Sequence, residues 1–328
     1  MIKLKQNGML EYFIGFIFII SYIGILISRI YITPFELYSD IGQYYKHYYQ
    51  DDGVLIFGLE VVTPILFFLT KKLGLNFYDF VFVYSIFYLI PILILSNHIK
   101  IKFRIFYFLF FIIWFVPNNV FLLRQYLSFY FLILYFNFHN NHKYAGRSLL
   151  LLSILTHLSA IIFWVFSLIN IKKRSGYLML SGASVVLYFL QITVFTWQES
   201  MMKLLLWLAS FDLGGDFNRK IIGQISSMQV DELIGVSSIL NSSVICLAAT
   251  LHSVIIFKHG ETSKLMKVFF ITAIINLIFA SLAVFSNRVG FVSYFFSIPY
   301  LMLVLSHFSI KNNLAIKINY SSSYMQRI

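Results

Sequence analysis

Uninterrupted apolar runs of about twenty residues recur along this chain, and no other feature constrains its fold as strongly. Residues 10–31 (LEYFIGFIFIISYIGILISRIY), 77–96, 177–197, 234–257, 265–286 and 289–309 are each long enough to cross a bilayer as a helix, which takes roughly 20 mostly apolar residues. A segment surrounded by lipid must satisfy its own backbone hydrogen bonds, so it is either a helix or a strand of a closed barrel. The runs show no period-two alternation, so they read as helices. The expected fold is all-α and polytopic, with about ten hydrophobic segments in a single membrane domain. Composition agrees: of 328 residues, 59% are hydrophobic and 12% charged, against about 25% charged in a soluble chain. Mean hydropathy is +0.82.

The remaining bulk features narrow the class. Lys3 and Lys5 precede the first run, and no small-residue cleavage site follows it, so it reads as a retained membrane helix and not a cleaved signal. A net charge of +12 would suit nucleic acid in a soluble protein. In a membrane chain the basic residues mark cytoplasmic loops instead, and nucleic acid is discounted. The 37 Phe and 22 Tyr serve packing and interfacial anchoring. A single cysteine, Cys246, excludes an intramolecular disulfide.

Orientation follows from Lys and Arg in short loops. Lys3 and Lys5 place the N-terminus inside, and further basic loops are 97–104 (Lys100, Lys102, Arg104), 139–147 (Lys143, Arg147), 171–176 (Lys172, Lys173, Arg174) and 258–267 (Lys258, Lys264, Lys267). The tail adds Lys311, Lys317 and Arg327, so the C-terminus is also expected inside. Strict alternation would export the 97–104 and 139–147 loops. Two segments repair the count. Residues 55–70 are short and carry Glu60 and Pro64, and residues 148–169 carry His157 near the middle. If each enters the membrane and returns to its own side, the basic loops fall inside, apart from Lys71 and Lys72. Such interrupted backbone is tolerated at depth where it lines a polar cavity or is buried in protein. The arrangement puts loops 32–54 and 198–233, with Arg124 and Arg288, on the outer side.

Ionisable residues inside membrane segments are functional candidates by default. Glu60 sits five residues into its segment, Arg124 five residues after Asn119, His157 at the centre of 148–169, and Arg288 in the break Ser286-Asn287-Arg288. The bland readings stand beside these: headgroup snorkelling for the arginines, a hydrogen-bonded core imidazole for His157, a structural pair with an arginine for Glu60. Asp40 and Tyr44 of the first outer loop stand in a helical i, i+4 relation. The second outer loop opens with an apolar stretch around Trp207 suited to the interface, either a lid or a loop resting on lipid. It continues through Asp212 and Asp216. Walker, GxSxG, HExxH and CxxC motifs are absent. His139 and His142 lie beside Lys143, which argues against a metal. Any enzyme here is expected to use a lipid-linked donor, without metal or cofactor.

The order Asp40-x-x-x-Tyr44, Glu60 opening an apolar stretch, Arg124-Gln125, then His157-x-Ser159-Ala160 resembles the EpsG/Wzy family of polysaccharide polymerases. The most specific portions are NNVFLLRQYLSFYFLILYF (118–136) and LLLLSILTHLSAIIFWVFSLI (149–169), with Asn287-Arg288 and Tyr294 following. The likeness covers roughly residues 35–300 and departs from the family where Tyr38-Ser39 stand in place of a Gly-Thr before Asp40.

The resemblance implies a membrane glycosyltransferase of GT-C-like architecture in the bacterial cytoplasmic membrane, acting in O-antigen, lipopolysaccharide or exopolysaccharide assembly. It implies polyprenyl-diphosphate-linked glycans as donor and acceptor, membrane lipids as surroundings, and leaves room for a chain-length regulator as partner. Arg124, Gln125 and Arg288 would contact diphosphate or sugar, and Tyr44 would stack on a sugar face. Asp40, Glu60 and His157 would supply the acid–base group. Three other classes remain open: a lipid-linked oligosaccharide flippase, another membrane glycosyltransferase, and an acyltransferase.

Overall fold

The computed structural model describes residues 6–32, 39–50, 57–119, 123–139, 142–195, 197–211, 236–260 and 262–307, and the described residues are helical with no strand. The chain divides into two compact units, Met1–Val165 and Phe166–Ile328. Four helices among the described residues are long and apolar enough to cross a membrane: Leu10–Ile32, Phe77–Ser96, Arg174–Thr193 and Ser238–His259. The other apolar helices among the described residues are shorter or broken.

The first unit begins with α1 (Gln6–Ile27), which widens into a π turn at Ser28–Ile32. Helix α2 (Ser39–Tyr49) carries a polar, tyrosine-rich sequence. Helix α3 (Val62–Lys72) has 11 residues, about 16 Å of rise and too little to cross. Helices α4 (Phe77–Ile86) and α5 (Leu89–Ser96) form one nearly continuous rod. Its start is fixed by a capping box, in which Asn76 accepts from the Asp79 amide at 3.0 Å and Asp79 accepts from the Asn76 amide at 3.0 Å. Helix α6 (Ile101–Leu109) continues through a second π turn (Phe110–Phe115) into α7 (Val116–Asn119). Helices α8 (Leu123–Phe138) and α9 (Lys143–Thr156) pair as a hairpin, and α10 (Ser159–Leu168) follows after a break.

Three contacts order the ends of these helices. At one end Arg104 of α6 meets Glu11 of α1, Nη1 to Oε2 at 3.4 Å. At the other, Tyr31 donates to Asp79 Oδ1 at 2.7 Å and Arg29 Nε donates to the Pro117 carbonyl at 3.0 Å. Thus α1 and the α4–α5 rod run antiparallel, and the 97–104 loop shares an end with the start of α1. Tyr88 packs against both Tyr126 and Tyr130, and α5 continues beside α8. Helix α8 therefore carries the α8–α9 turn, with its Lys143 and Arg147, toward the end that holds Arg104.

Small hydroxyl residues let α8 and α9 approach closely. Ser128 Oγ donates to the Ser153 carbonyl at 2.9 Å, and Ser153 Oγ donates to the Ser128 carbonyl at 2.6 Å, with both side chains fully buried. In lipid there is no hydrophobic drive between helices, so small side chains and such reciprocal bonds hold the pair.

The second unit contains α11 (Arg174–Thr193), α12 (Gln198–Ala209), α13 (Val236–His259) and α14 (Lys264–Ile278). These are followed by α15 (Ala283–Val289), α16 (Phe291–Phe295) and α17 (Ser297–His307). Gly260, just past α13, packs so closely on the Arg174 guanidinium that an added Cβ would lie 3.2 Å from it. The basic loops 171–176 and 258–267 therefore meet at one end of this unit. The segment 265–286, expected as one helix, stops at Ile278. Gln191 of α11 donates to the Leu277 carbonyl at 3.0 Å and accepts from the Ser281 amide and hydroxyl, each at 3.0 Å. Trp197 Nε1 donates to the Ile278 carbonyl at 2.8 Å. These side chains satisfy the carbonyls that a helix end leaves open, which is what makes a break tolerable in an apolar setting. Segment 289–309 is likewise divided, at Gly290 and Phe296. Asn241 of α13 donates to the Tyr294 carbonyl at 2.9 Å and accepts from the Ser297 hydroxyl.

Candidate functional site

Four of the residues singled out by sequence, Tyr44, Glu60, Arg124 and His157, converge in the first unit. They come from four different elements, and local backbone features aim each one. Gly58, at φ +66°, forms the turn Phe57–Leu59; that left-handed conformation suits a residue without Cβ. The turn brings Phe57 and Glu60 to the head of α3. Arg124 lies in the first turn of α8, which starts at Leu123. Residues 120–122, between Asn119 and this helix, lie outside the described residues. Tyr44 is on the buried side of α2. His157 is the break itself: φ −157° and ψ 127° take the chain out of the helix at the end of α9.

Arg124 is the hub. Its Nε donates to Tyr44 Oη at 2.8 Å and its Nη1 donates to Glu60 Oε2 at 2.6 Å. The guanidinium lies over the Phe57 ring at 4.0 Å from the centroid and beside the Tyr44 ring at 5.3 Å. Those two rings meet edge to face at 5.7 Å. A flat cation held against aromatic faces gains cation–π stabilisation and keeps its orientation. A guanidinium has five N–H donors. Two are used here, and the others, on Nη1 and Nη2, have no acceptor among the described residues.

Glu60 divides its carboxylate between two donors. Oε2 takes Arg124, and Oε1 takes the Leu158 amide at 3.0 Å, at the amino-terminal end of α10. His157 Nδ1 stands 3.8 Å from Oε1 and accepts the Ser159 amide at 3.1 Å. An imidazole that accepts at Nδ1 carries its neutral-form proton on Nε2, so in this geometry His157 is set to donate from Nε2. The site is neither sealed nor open: Glu60 keeps 10% of its side chain exposed, Arg124 23% and His157 29%. The pair is thus compensated against the cost of burial, while a ligand can still reach the cation.

The other sequence candidates fall elsewhere. Gln125 follows Arg124 by about 100° of helix turn and makes none of these contacts. Asp40 sits in the first turn of α2, on the face of Tyr44, and its side chain lies outside the described residues. Asp212 and Asp216 also lie outside them. Arg288 belongs to the second unit, where it is exposed on α15. Sequence reasoning missed Phe57 and the Leu158 and Ser159 amides. Gly58 was the available sign of the first; amides at a helix break carry no side-chain signal. Among the described residues no three His, Cys, Asp or Glu side chains gather into a set able to hold a metal ion.

Chemically, the arrangement presents a fixed, partly accessible guanidinium of the kind that binds phosphate or carboxylate oxygens in pairs, next to a carboxylate and an imidazole donor. Compared with protein-family models, with curated proteins and with solved structures, the chain finds no match.

Proposed function

We propose that this chain is a membrane polysaccharide polymerase that joins polyprenyl-diphosphate-linked repeat units at the outer face of a bacterial cytoplasmic membrane, with both termini on the inner side. The observation that carries the reading is the meeting of Tyr44, Glu60, Arg124 and His157, which are far apart in sequence and were named from a resemblance to one family of such enzymes. In the reaction an acceptor hydroxyl attacks the anomeric carbon of the donor glycan. The new C–O bond is glycosidic, the bond from that carbon to the lipid diphosphate breaks, and the hydroxyl proton passes to a base. Arg124 binds the diphosphate and stabilises the charge it gains as it leaves. The resemblance would also make Arg288, in the second unit, a phosphate-binding residue. Asp40 and Glu60 are the carboxylates able to take the proton, while His157 donates to substrate oxygen from Nε2. The chemistry requires no metal or cofactor.

The test is polymerisation of purified lipid-linked repeats by the detergent-solubilised protein. Wild type should yield a ladder of chain lengths, and alanine at the true base, Asp40 or Glu60, should slow it ~10²–10⁴-fold with lipid-linked substrate still bound. Absence of any elongated product from well-folded wild type refutes the reading. Discontinuous helices at His157 and at Phe279–Leu282 would equally suit a flippase for the same lipid-linked glycan. Transfer of intact repeats across proteoliposome membranes without bond formation would favour that alternative.

A further inference from the structure

We propose that Glu60 is the resident anion of a phosphate-binding site, holding the donors that a substrate phosphate takes over when it binds. The inference rests on reading Arg124 as the diphosphate contact. Glu60 engages one donor with each oxygen, the Arg124 guanidinium at 2.6 Å and the Leu158 amide at 3.0 Å. A side-chain cation beside a backbone N–H at a helix start is the donor set that phosphate prefers. A carboxylate offers it one negative charge and a diphosphate more, so the substrate competes from the stronger position.

The backbone permits the exchange. Glu60 and Val61 lie between the Phe57–Leu59 turn and α3 and belong to no helix. The Glu60 amide reaches the Phe57 carbonyl only at 3.4 Å. Rotation of the Glu60 side chain withdraws the carboxylate and leaves the Val61 carbonyl on the Ile65 amide, 3.1 Å away. Arg124 keeps its Tyr44 bond and its seat on Phe57 throughout, so the cation is positioned before the ligand arrives. The buried pair thus protects Arg124 from adventitious anions, and Glu60 sets the affinity.

The experiment measures binding of inorganic pyrophosphate, and separately of a short prenyl diphosphate in mixed micelles, to the full-length purified protein by calorimetry. Glu60→Gln removes the competing charge. Glu60→Asp keeps the charge but draws it back by one methylene, which guards against a Gln variant that fails to fold. Both should bind tighter than wild type by about tenfold or more, the equivalent of one charge-assisted hydrogen bond. Adding Arg124→Ala should abolish the gain. A gain with pyrophosphate shows that the phosphates suffice, and a gain confined to the prenyl diphosphate shows that the lipid portion is also read. If neither variant gains affinity for either probe, Glu60 is a structural partner of Arg124 and the proposal falls. Polymerisation by wild type, measured alongside, separates the two readings: it can succeed while the Glu60 exchange fails, and the exchange can hold in a protein that polymerises nothing.

Discussion

Replacing Arg124 with lysine keeps the positive charge and removes the geometry, which makes it the most informative single change in the first unit. Lysine can reach Glu60 with its ammonium but lacks the fixed fork that holds Tyr44 and Glu60 together, and it has no flat face to lay on Phe57. The lost Tyr44 bond, 2.8 Å long, is worth about 1 kcal/mol. The lost guanidinium–ring contact, at 4.0 Å, is worth about 0.5–1 kcal/mol. The expected destabilisation is therefore about 1.5–2 kcal/mol, a fall of a few degrees in the thermal midpoint. The assay is thermal unfolding in detergent of Arg124→Lys, Tyr44→Phe and the double variant. Tyr44→Phe alone should lower stability by about 1 kcal/mol, because only the hydroxyl is removed. In the lysine background the same change should have nearly no effect, since the bond it deletes is already gone. Polymerisation should fall in step, because an ammonium lacks the paired donors that orient a phosphate. If the two changes are additive, or if Arg124→Lys unfolds and polymerises like wild type, the guanidinium fork is not what organises this site.

Two further outcomes follow from the breaks and the basic loops. A topology reporter fused after Gly146 should read cytoplasmic and one near Gly214 should read periplasmic; both on one side would overturn the assignment of 55–70 and 148–169 as non-crossing segments. Gly290→Ala places a Cβ 2.5 Å from the Ser286 carbonyl oxygen and 2.6 Å from Asn276 Cβ, an overpacking expected to lower stability by about 1–3 kcal/mol. Unchanged thermal unfolding of that variant would show that α14 and α15 can separate without penalty.

What the sequence determined by itself is the solvent and the secondary structure. Runs such as 10–31 and 77–96 admit only helices in lipid, because every backbone donor and acceptor must be satisfied within the segment. The sequence also pointed to the weak places: Glu60 beside Pro64, and His157 at the centre of an apolar stretch, both mark short or broken helices in the structure. Individual candidates were legible for the same reason, since a charge in an apolar run is costly enough to be conspicuous.

Which residues meet was decided only by tertiary structure. Tyr44, Glu60, Arg124 and His157 span more than a hundred residues, and no local pattern encodes that α2, the head of α3, the start of α8 and the end of α9 come together. Helix continuity was equally hidden. Residues 265–286 have the composition of one crossing, yet Gln191 and Trp197, some eighty residues earlier, satisfy the carbonyls of Leu277 and Ile278 and so allow the helix to stop. An apolar run specifies where the chain is buried; where its backbone can break depends on which distant side chain is there to receive the freed hydrogen bonds.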